Sequence, residues 1–381
     1  QTALKVRRID PAKGKLRIGY ISRNFCKQAV AFYMVNRIIH HDRSRFELHT
    51  FAVGDRDDEL TTVFKENSAV FERHLPLTDF GGMIRKLRDS KLDMLIYADL
   101  GMDPMTLMLA GLRLAPVQCV LVGHGVTSGM PEIDYYISGD FEPANAERFY
   151  REKLVRLPKL GAAQYPPFEP DKYPTRQDYK IPEDAVVYVS CANGIKIHPD
   201  QDPLWLEILR RVPNAWLLLK PFQTPDAVDP RFMERIFGPA RAAGVAERVL
   251  IVPPFRQAKE VLGLLKLADI QLDTFPYGGW TTNMEAVYMG LPIVTQEGEM
   301  ARSRWGAAML RAMGIKHGIA RTGEEYVEQA VRLGQDSKLR AELRAVIREK
   351  AKSLFFDGVA AQPAYENALR DCYLEKIGVV K

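Results

Sequence analysis

At 381 residues the chain is long enough for two separately cored domains, and 46% apolar with 27% charged residues excludes a disordered or fibrous protein. A net charge of +5 and a pI near 8.8 fit an anionic ligand but call for no nucleic-acid partner, and no run approaches the ~18 apolar residues of a membrane span. Cys26, Cys119, Cys191 and Cys372 are scattered without a C-x-x-C pair, which argues against structural zinc and for a reducing, cytoplasmic setting.

The N-terminal QTALKVRRIDPAKGK lacks the apolar segment of a signal peptide. From Leu16, LRIGYIS reads as a strand, and Arg23-Asn24-Phe25 turns into a helix with Val30, Tyr33, Met34 and Ile38 on its apolar side. A strand over 46–53, a helix near 60–66, a short strand before Pro76 and a helix over 83–90 follow. Leu92–Ala98 is an apolar strand ending in Asp99, and the next helix holds Leu107, Leu109 and Leu112. Strands at 117–122, 133–138 and 154–157 close the first half, a domain expected over residues 1–170.

Lys159–Pro182, rich in Pro, Tyr and Gly, reads as a linker. A second alternation fills 171–381. Its strands are expected at 185–190, 216–220, 249–252 and 293–295, and its helices at 231–243, 258–267, 303–313, 324–353 and 364–377. Another helix is expected to be capped by Asp202 with Pro203 in its first turn. In the last helix Tyr365, Leu369 and Tyr373 recur every four residues. Strands alternating with helices predict α/β, Rossmann-like, doubly wound domains facing across a cleft, with ligands at the strand carboxyl ends.

The stretch Ala268–Gly290, ADIQLDTFPYGGWTTNMEAVYMG, carries the chemistry. A buried strand ends in Asp273, Pro276, Gly278 and Gly279 make a turn, Thr281 and Thr282 stand where N-cap hydroxyls are wanted, and Gly290 with Pro292 is a stop signal. A strand, a glycine loop and a helix N-terminus form a ready diphosphate site, with Glu285 one turn in to take sugar hydroxyls. The same pattern also fits an ordinary βα turn.

The stretch APVQCVLVGHGVTSGMPEIDYYISGD (Ala115–Asp140), then EKLVRLP, resembles the catalytic region of the O-GlcNAc transferase-like glycosyltransferases, a family that includes the bacterial cytoplasmic N-glucosyltransferases of adhesins. The resemblance continues, in order, through LRIGYISRNF, IKIHP, LWLEILRRVPNAWLLL, LADIQLDTFPYGGWTTNMEAVYMGLPIVT, GEMARSR and SLFFD, nearly the whole chain from Leu16. The family's usual upstream helical repeats are not in this sequence.

The resemblance implies a GT-B fold, a UDP-sugar held by the second domain, a polypeptide acceptor, and inverting transfer that needs no metal or other cofactor. It implies that Lys196 meets the donor diphosphate, that Thr281 and Thr282 contact phosphate beside Gly279, and that Glu285 lies near the ribose. Asn193 falls where the family commonly has a glutamine near the diphosphate. Position alone favours a solvated lysine after a strand for Lys196, and the resemblance reverses that preference.

The acceptor side departs from the family. Gln28 stands near an expected histidine, Gly101-Met102-Asp103 where a G-H-T motif is usual, and Val261 near the place of a donor-contacting histidine. His124, Asp99, Asp103 and His198 remain as proton-transfer candidates. His124 is a tyrosine in the O-GlcNAc branch and a histidine in the N-glucosyltransferase branch. Three of them have a plainer reading, with His124 a polar loop residue, Asp103 a helix cap and His198 the shaper of the turn after Lys196. Asp200-Gln201-Asp202 resembles a metal-binding D-x-D, but Pro203 follows at once and favours capping. Arg302 and Arg304 either approach the phosphates or brace their loop, and Trp280 has no assigned role. Loss of the histidines leaves open a UDP-binding protein without transfer, and a GT-B sugar-nucleotide epimerase is a third reading.

Overall fold

The strands that the sequence marks as apolar runs assemble into two parallel sheets in the computed structural model, which describes residues 9–10, 14–75, 78–255 and 259–379. The first sheet comprises β1 (Leu16–Ser22), β2 (Phe46–Val53), β3 (Val70–Leu75), β4 (Met94–Tyr97), β5 (Val117–Leu121), β6 (Tyr135–Gly139) and β7 (Lys153–Leu157), in the order β3-β2-β1-β4-β5-β6-β7. Between its strands run α1 (Ala29–His40), α2 (Glu59–Glu66), α3 (Phe80–Asp89) and α4 (Pro104–Ala110). β1 pairs in parallel with both β2 and β4, Ile18 lying opposite Leu48 on one side and Met94 on the other. Burial on both faces explains why these strands read as continuous apolar runs.

The second sheet comprises β8 (Val186–Ser190), β9 (Ala215–Leu219), β10 (Val249–Ile251), β11 (Ile270–Leu272), β12 (Ile293–Gln296) and β13 (Ile319–Ala320), in the order β10-β9-β8-β11-β12-β13. Its helices are α5 (Gln201–Arg211), α6 (Pro230–Ala242), α7 (Glu260–Leu267), α8 (Thr281–Tyr288), α9 (Trp305–Ala312), α10 (Gly323–Gln335) and α11 (Ser337–Phe355). The last helix is α12 (Gly358–Lys376). In both sheets strand order reverses once, between β1 and β4 and between β8 and β11, and doubly wound sheets bind ligands outside the carboxyl ends at that point.

The chain divides into two units, Gln1–Tyr165 with Phe356–Lys381, and Pro166–Phe355. The terminal helix therefore belongs with the first sheet, whereas the sequence reading placed it with the second. Tyr365, Leu369 and Tyr373, the residues of its four-residue period, are fully buried. The Glu366 carboxylate accepts hydrogen bonds from the Asp42 amide (2.7 Å) and Gln362 Nε2 (3.2 Å) and lies 3.0 Å from His41 Nδ1. The helix also begins earlier than expected, because the Asp357 carboxylate caps the Ala360 amide at 3.0 Å. Pro363, one residue before the expected start at Ala364, lies inside it.

Other boundaries shift for local reasons. The single helix expected over 324–353 is two, because the Asp336 carboxylate accepts from the Leu339 amide (2.9 Å) and starts α11. The start expected at Ala258 for α7 lies outside the described residues. Strand β13 has two residues, too few for a pattern to announce it. Among the described residues no helix is long and apolar enough to cross a membrane.

Candidate functional site

The loop after β11 is built around the buried carboxylate of Asp273. Its Oδ1 accepts hydrogen bonds from the amides of Thr274 (3.0 Å) and Gly279 (2.7 Å), and Oδ2 accepts from Thr295 Oγ1 (2.8 Å). Its own carbonyl accepts from Tyr326 OH at 3.0 Å. Burial pushes the Asp273 carboxyl upward, against these donors and Asn283. Further bonds close the loop, from Thr274 Oγ1 to the Tyr277 carbonyl (2.7 Å), from the Gly278 amide to the Arg302 carbonyl (2.8 Å) and from Asn283 Nδ2 to the Gly279 carbonyl (2.8 Å). So many internal bonds hold the loop in one shape before anything binds.

This loop delivers α8. The helix starts at Thr281 itself, with Trp280 at the N-cap position and no side-chain cap bond. Thr281 and Thr282 are thus its first two residues rather than the caps that the sequence suggested. Met284 donates to the Trp280 carbonyl (2.9 Å), so the amides of 281–283 lie ahead of that bond in the turn where an anion is stabilised. A methyl group on Gly279 would stand 2.0 Å from Thr282 Oγ1, so any larger residue there would displace the Thr282 hydroxyl. At the other end Gly290, at φ 77°, completes a Schellman motif in which the Leu291 amide bonds the Ala286 carbonyl at 2.8 Å.

Lys196 arrives from the neighbouring strand. After β8 the chain makes a short turn over Gly194–Lys196, capped by Asn193, whose Oδ1 accepts from the Ile195 amide at 3.1 Å. Lys196 Nζ lies 4.4 Å from the centroid of the Tyr277 ring. The cation and the Pro-Gly-Gly loop therefore meet at the β8/β11 reversal. Burial lowers the Lys196 pKa while the Asp273 carboxylate opposes the shift, and among the described residues the lysine forms no ion pair. A half-buried cation with no ion pair among the described residues, beside a helix N-terminus, is an arrangement that favours an anion.

Glu285, in α8, has its carboxyl pushed up to about 8 by burial, with Lys220 pulling it down. Lys220 follows β9, is itself held below its usual range by burial, and donates to Gln223 Oε1 at 3.0 Å. The sequence reading saw Lys220 only as a strand end. Because the folded state holds the Glu285 proton above the ordinary carboxyl value of 4.5, its stabilising contribution is complete below pH 4.5 and is lost as pH rises to about 8. Glu285→Gln is expected to flatten the fall in melting temperature of the ligand-free protein between pH 5 and 8. A slope equal to the parent's would contradict the assignment.

The segment after β12 braces the loop. Buried Glu297 is pushed up by burial, but its arginines hold it below the usual range, Arg311 at 2.6 Å and Arg304 at 2.9 Å. Arg304 also donates to the Gly298 carbonyl (3.0 Å), so its guanidinium serves the loop. Trp280 packs edge-to-face on Trp305 at 5.7 Å, and Tyr277 does so at 5.8 Å, which gives Trp280 a packing role. Asp202 is not the cap of α5. The helix begins one residue before it, and Asp202 pairs with Arg235 Nε at 2.9 Å. His198, exposed, lies 3.4 Å from the Asp200 carboxylate within the turn.

The first unit gathers the other candidates at its own reversal, after β1 and β4. Asp99 is buried, accepts from Asn24 Nδ2 at 2.5 Å, and is pushed up to about 6 by burial against the Asn24 and Ser22 bonds. Asp103 caps α4, with Oδ1 accepting from the Met105 (2.9 Å) and Thr106 (3.0 Å) amides and Oδ2 from Arg23 at 3.1 Å. Those bonds make Asp103 a helix cap that also holds Arg23. The His124 ring packs on Gly101, where a methyl group would stand 2.8 Å from His124 Cδ2, and Tyr136 OH donates to the His124 carbonyl (2.7 Å). The loop that follows is tied down by buried Glu152, which accepts from Thr127 Oγ1 and the Ser128 amide, both at 2.7 Å. Gln28 is at the N-cap position of α1 without a side-chain bond, and Val261 lies in α7.

Comparison with known proteins bears on this geometry. The family model described as glycosyl transferase family 41 matches residues 3–161 and 171–362. The chain is 30% identical over 373 residues to a probable UDP-N-acetylglucosamine–peptide N-acetylglucosaminyltransferase, SPINDLY, of Petunia hybrida, covering 96% of this chain and 39% of that protein. A Caenorhabditis elegans UDP-N-acetylglucosamine–peptide N-acetylglucosaminyltransferase is 33% identical over 186 residues, 48% of this chain and 16% of its own. The chain thus spans about two fifths, or less, of the length of these relatives. Among solved structures, a lysine-to-methionine mutant of the Thermobaculum terrenum O-GlcNAc transferase superposes with TM-score 0.85 at 30% identity, covering 97% of this chain and 69% of that one.

Proposed function

The chain belongs to glycosyl transferase family 41 and has the GT-B fold, and we propose that it transfers GlcNAc or glucose from a UDP-sugar to side chains of polypeptides, with inversion at the anomeric carbon. The observation that carries the proposal is Lys196, without an ion pair among the described residues, beside the Pro-Gly-Gly loop and the first turn of α8. In the reaction an acceptor hydroxyl or amide attacks the anomeric carbon, and the bond from that carbon to the diphosphate oxygen breaks. The electron pair stays on the departing UDP, and the acceptor proton passes to a base. Negative charge on the diphosphate grows as the bond breaks, so fixed cationic and N–H partners stabilise the transition state more than the bound donor.

Lys196, Thr281, Thr282 and the amides of the first turn of α8 serve the diphosphate in this proposal. Glu285 takes the ribose hydroxyls, and Asn193 and Gly279 shape the loops that hold the phosphates. Asp99 and His124 are the groups of the first unit from which the base is drawn, and Asp103 positions Arg23 and α4. A cytoplasmic setting is part of the same proposal, in keeping with four free, buried cysteines. Incubation with UDP-GlcNAc or UDP-glucose and cell-extract protein, read by UDP release and intact mass, tests it. The expected result is UDP release matched by added hexose or N-acetylhexosamine mass on protein. Conversion of the donor without any acceptor, or binding of UDP without turnover, would count against it.

A further inference from the structure

Arg302 stands in the segment that holds the Pro-Gly-Gly loop. Its carbonyl accepts from the Gly278 amide (2.8 Å), and a methyl group on Gly278 would lie 3.2 Å from that oxygen. On either side the segment packs on the same loop, a methyl on Gly298 meeting the Phe275 ring at 3.0 Å and Trp305 packing on Tyr277 at 5.8 Å. The backbone of Arg302 is thereby fixed against the residues that lead into α8.

The neighbouring arginines are committed elsewhere. Arg304 and Arg311 serve Glu297 at 2.9 and 2.6 Å, and Arg321 lies 3.7 Å from the same carboxylate. Arg302 is half-buried yet, among the described residues, has neither an ion pair nor a side-chain hydrogen bond. Two cations without ion pairs among the described residues therefore belong to the residues that meet one short loop, Lys196 over Tyr277 and Arg302 with its backbone anchored at Gly278. The nearby Asp273 carboxylate is occupied by three donors and neutralises neither of them through an ion pair. A multiply charged anion at the loop is attracted by each cation. A guanidinium, with its planar fork of donors, fits phosphate oxygens in a way an ammonium does not.

We infer that Arg302 is a second diphosphate-binding cation, taking phosphate oxygens of the nucleotide from the side of the loop opposite to the Lys196 turn in sequence. The inference rests on the proposed donor site. Binding of UDP and of uridine to the full chain and to Arg302→Met and Arg302→Lys, with melting temperatures alongside, tests it. The expected result is a loss of UDP affinity of tenfold or more in Arg302→Met, partial recovery in Arg302→Lys, unchanged uridine affinity and an unchanged melting temperature. Full UDP affinity in Arg302→Met overturns the inference and leaves the donor site standing. Equal losses of UDP and uridine affinity overturn it in favour of a structural role, and absence of UDP binding by the parent chain overturns the donor site itself.

Discussion

Lys196→Ala is expected to lower turnover about 30- to 1,000-fold, the equivalent of roughly 2–4 kcal/mol of barrier for one preorganised partner of a developing charge. The physical reason is the absence of competition. No carboxylate among the described residues forms an ion pair with the ammonium, which rests over the Tyr277 ring at 4.4 Å, so its field is available to the diphosphate. Burial already disfavours its charged form, so removing the charge should not destabilise the unit. UDP-release kinetics together with a melting curve separate the two effects. A rate within twofold of the parent, in protein that melts normally, would remove Lys196 from the donor site.

Asp273→Ala is expected to act on folding and on the site together. It removes the acceptor for the Thr274 and Gly279 amides and the Thr295 hydroxyl, all in a buried setting. Stranding buried donors costs about 1–3 kcal/mol each, so a loss of about 3 kcal/mol is a lower expectation, partly offset because burying this carboxylate is itself costly. For a unit of this size that corresponds to a fall in melting temperature of roughly 6–12 °C. UDP affinity should fall with it, because Gly279 loses the bond that fixes the entry to α8. A variant with the parent's melting temperature would show that the loop is held by its other bonds.

How much of this was legible in the sequence differs by kind of feature. Strands such as LRIGYIS and VVYVS announce themselves because parallel strands covered on both faces must be apolar throughout. The Pro-Gly-Gly turn, the first turn of α8 and the Gly290 stop were legible because glycine and proline write backbone geometry directly. The partners of Asp273 were not, since Thr295 and Tyr326 lie 22 and 53 residues away and only the folded sheet brings them in. The same holds for Lys220 with Glu285 and for the arginines around Glu297. The threonine caps were misread by one position, because α8 begins on Thr281 with Trp280 at the N-cap position. The place of α12 was hidden because an apolar face does not say which sheet it covers. Arg302 and Arg304 were indistinguishable as letters, and only the bonds of Arg304 to Gly298 and Glu297 separate them.

The central claim is that the loops after β8 and β11 hold the diphosphate of a nucleotide donor. A crystal structure of the chain with UDP tests it most directly. The account predicts the diphosphate within hydrogen-bond distance of Lys196 and of the first turn of α8 at Thr281 and Thr282, with the ribose toward Glu285. UDP bound with its phosphates away from both Lys196 and that turn would contradict it.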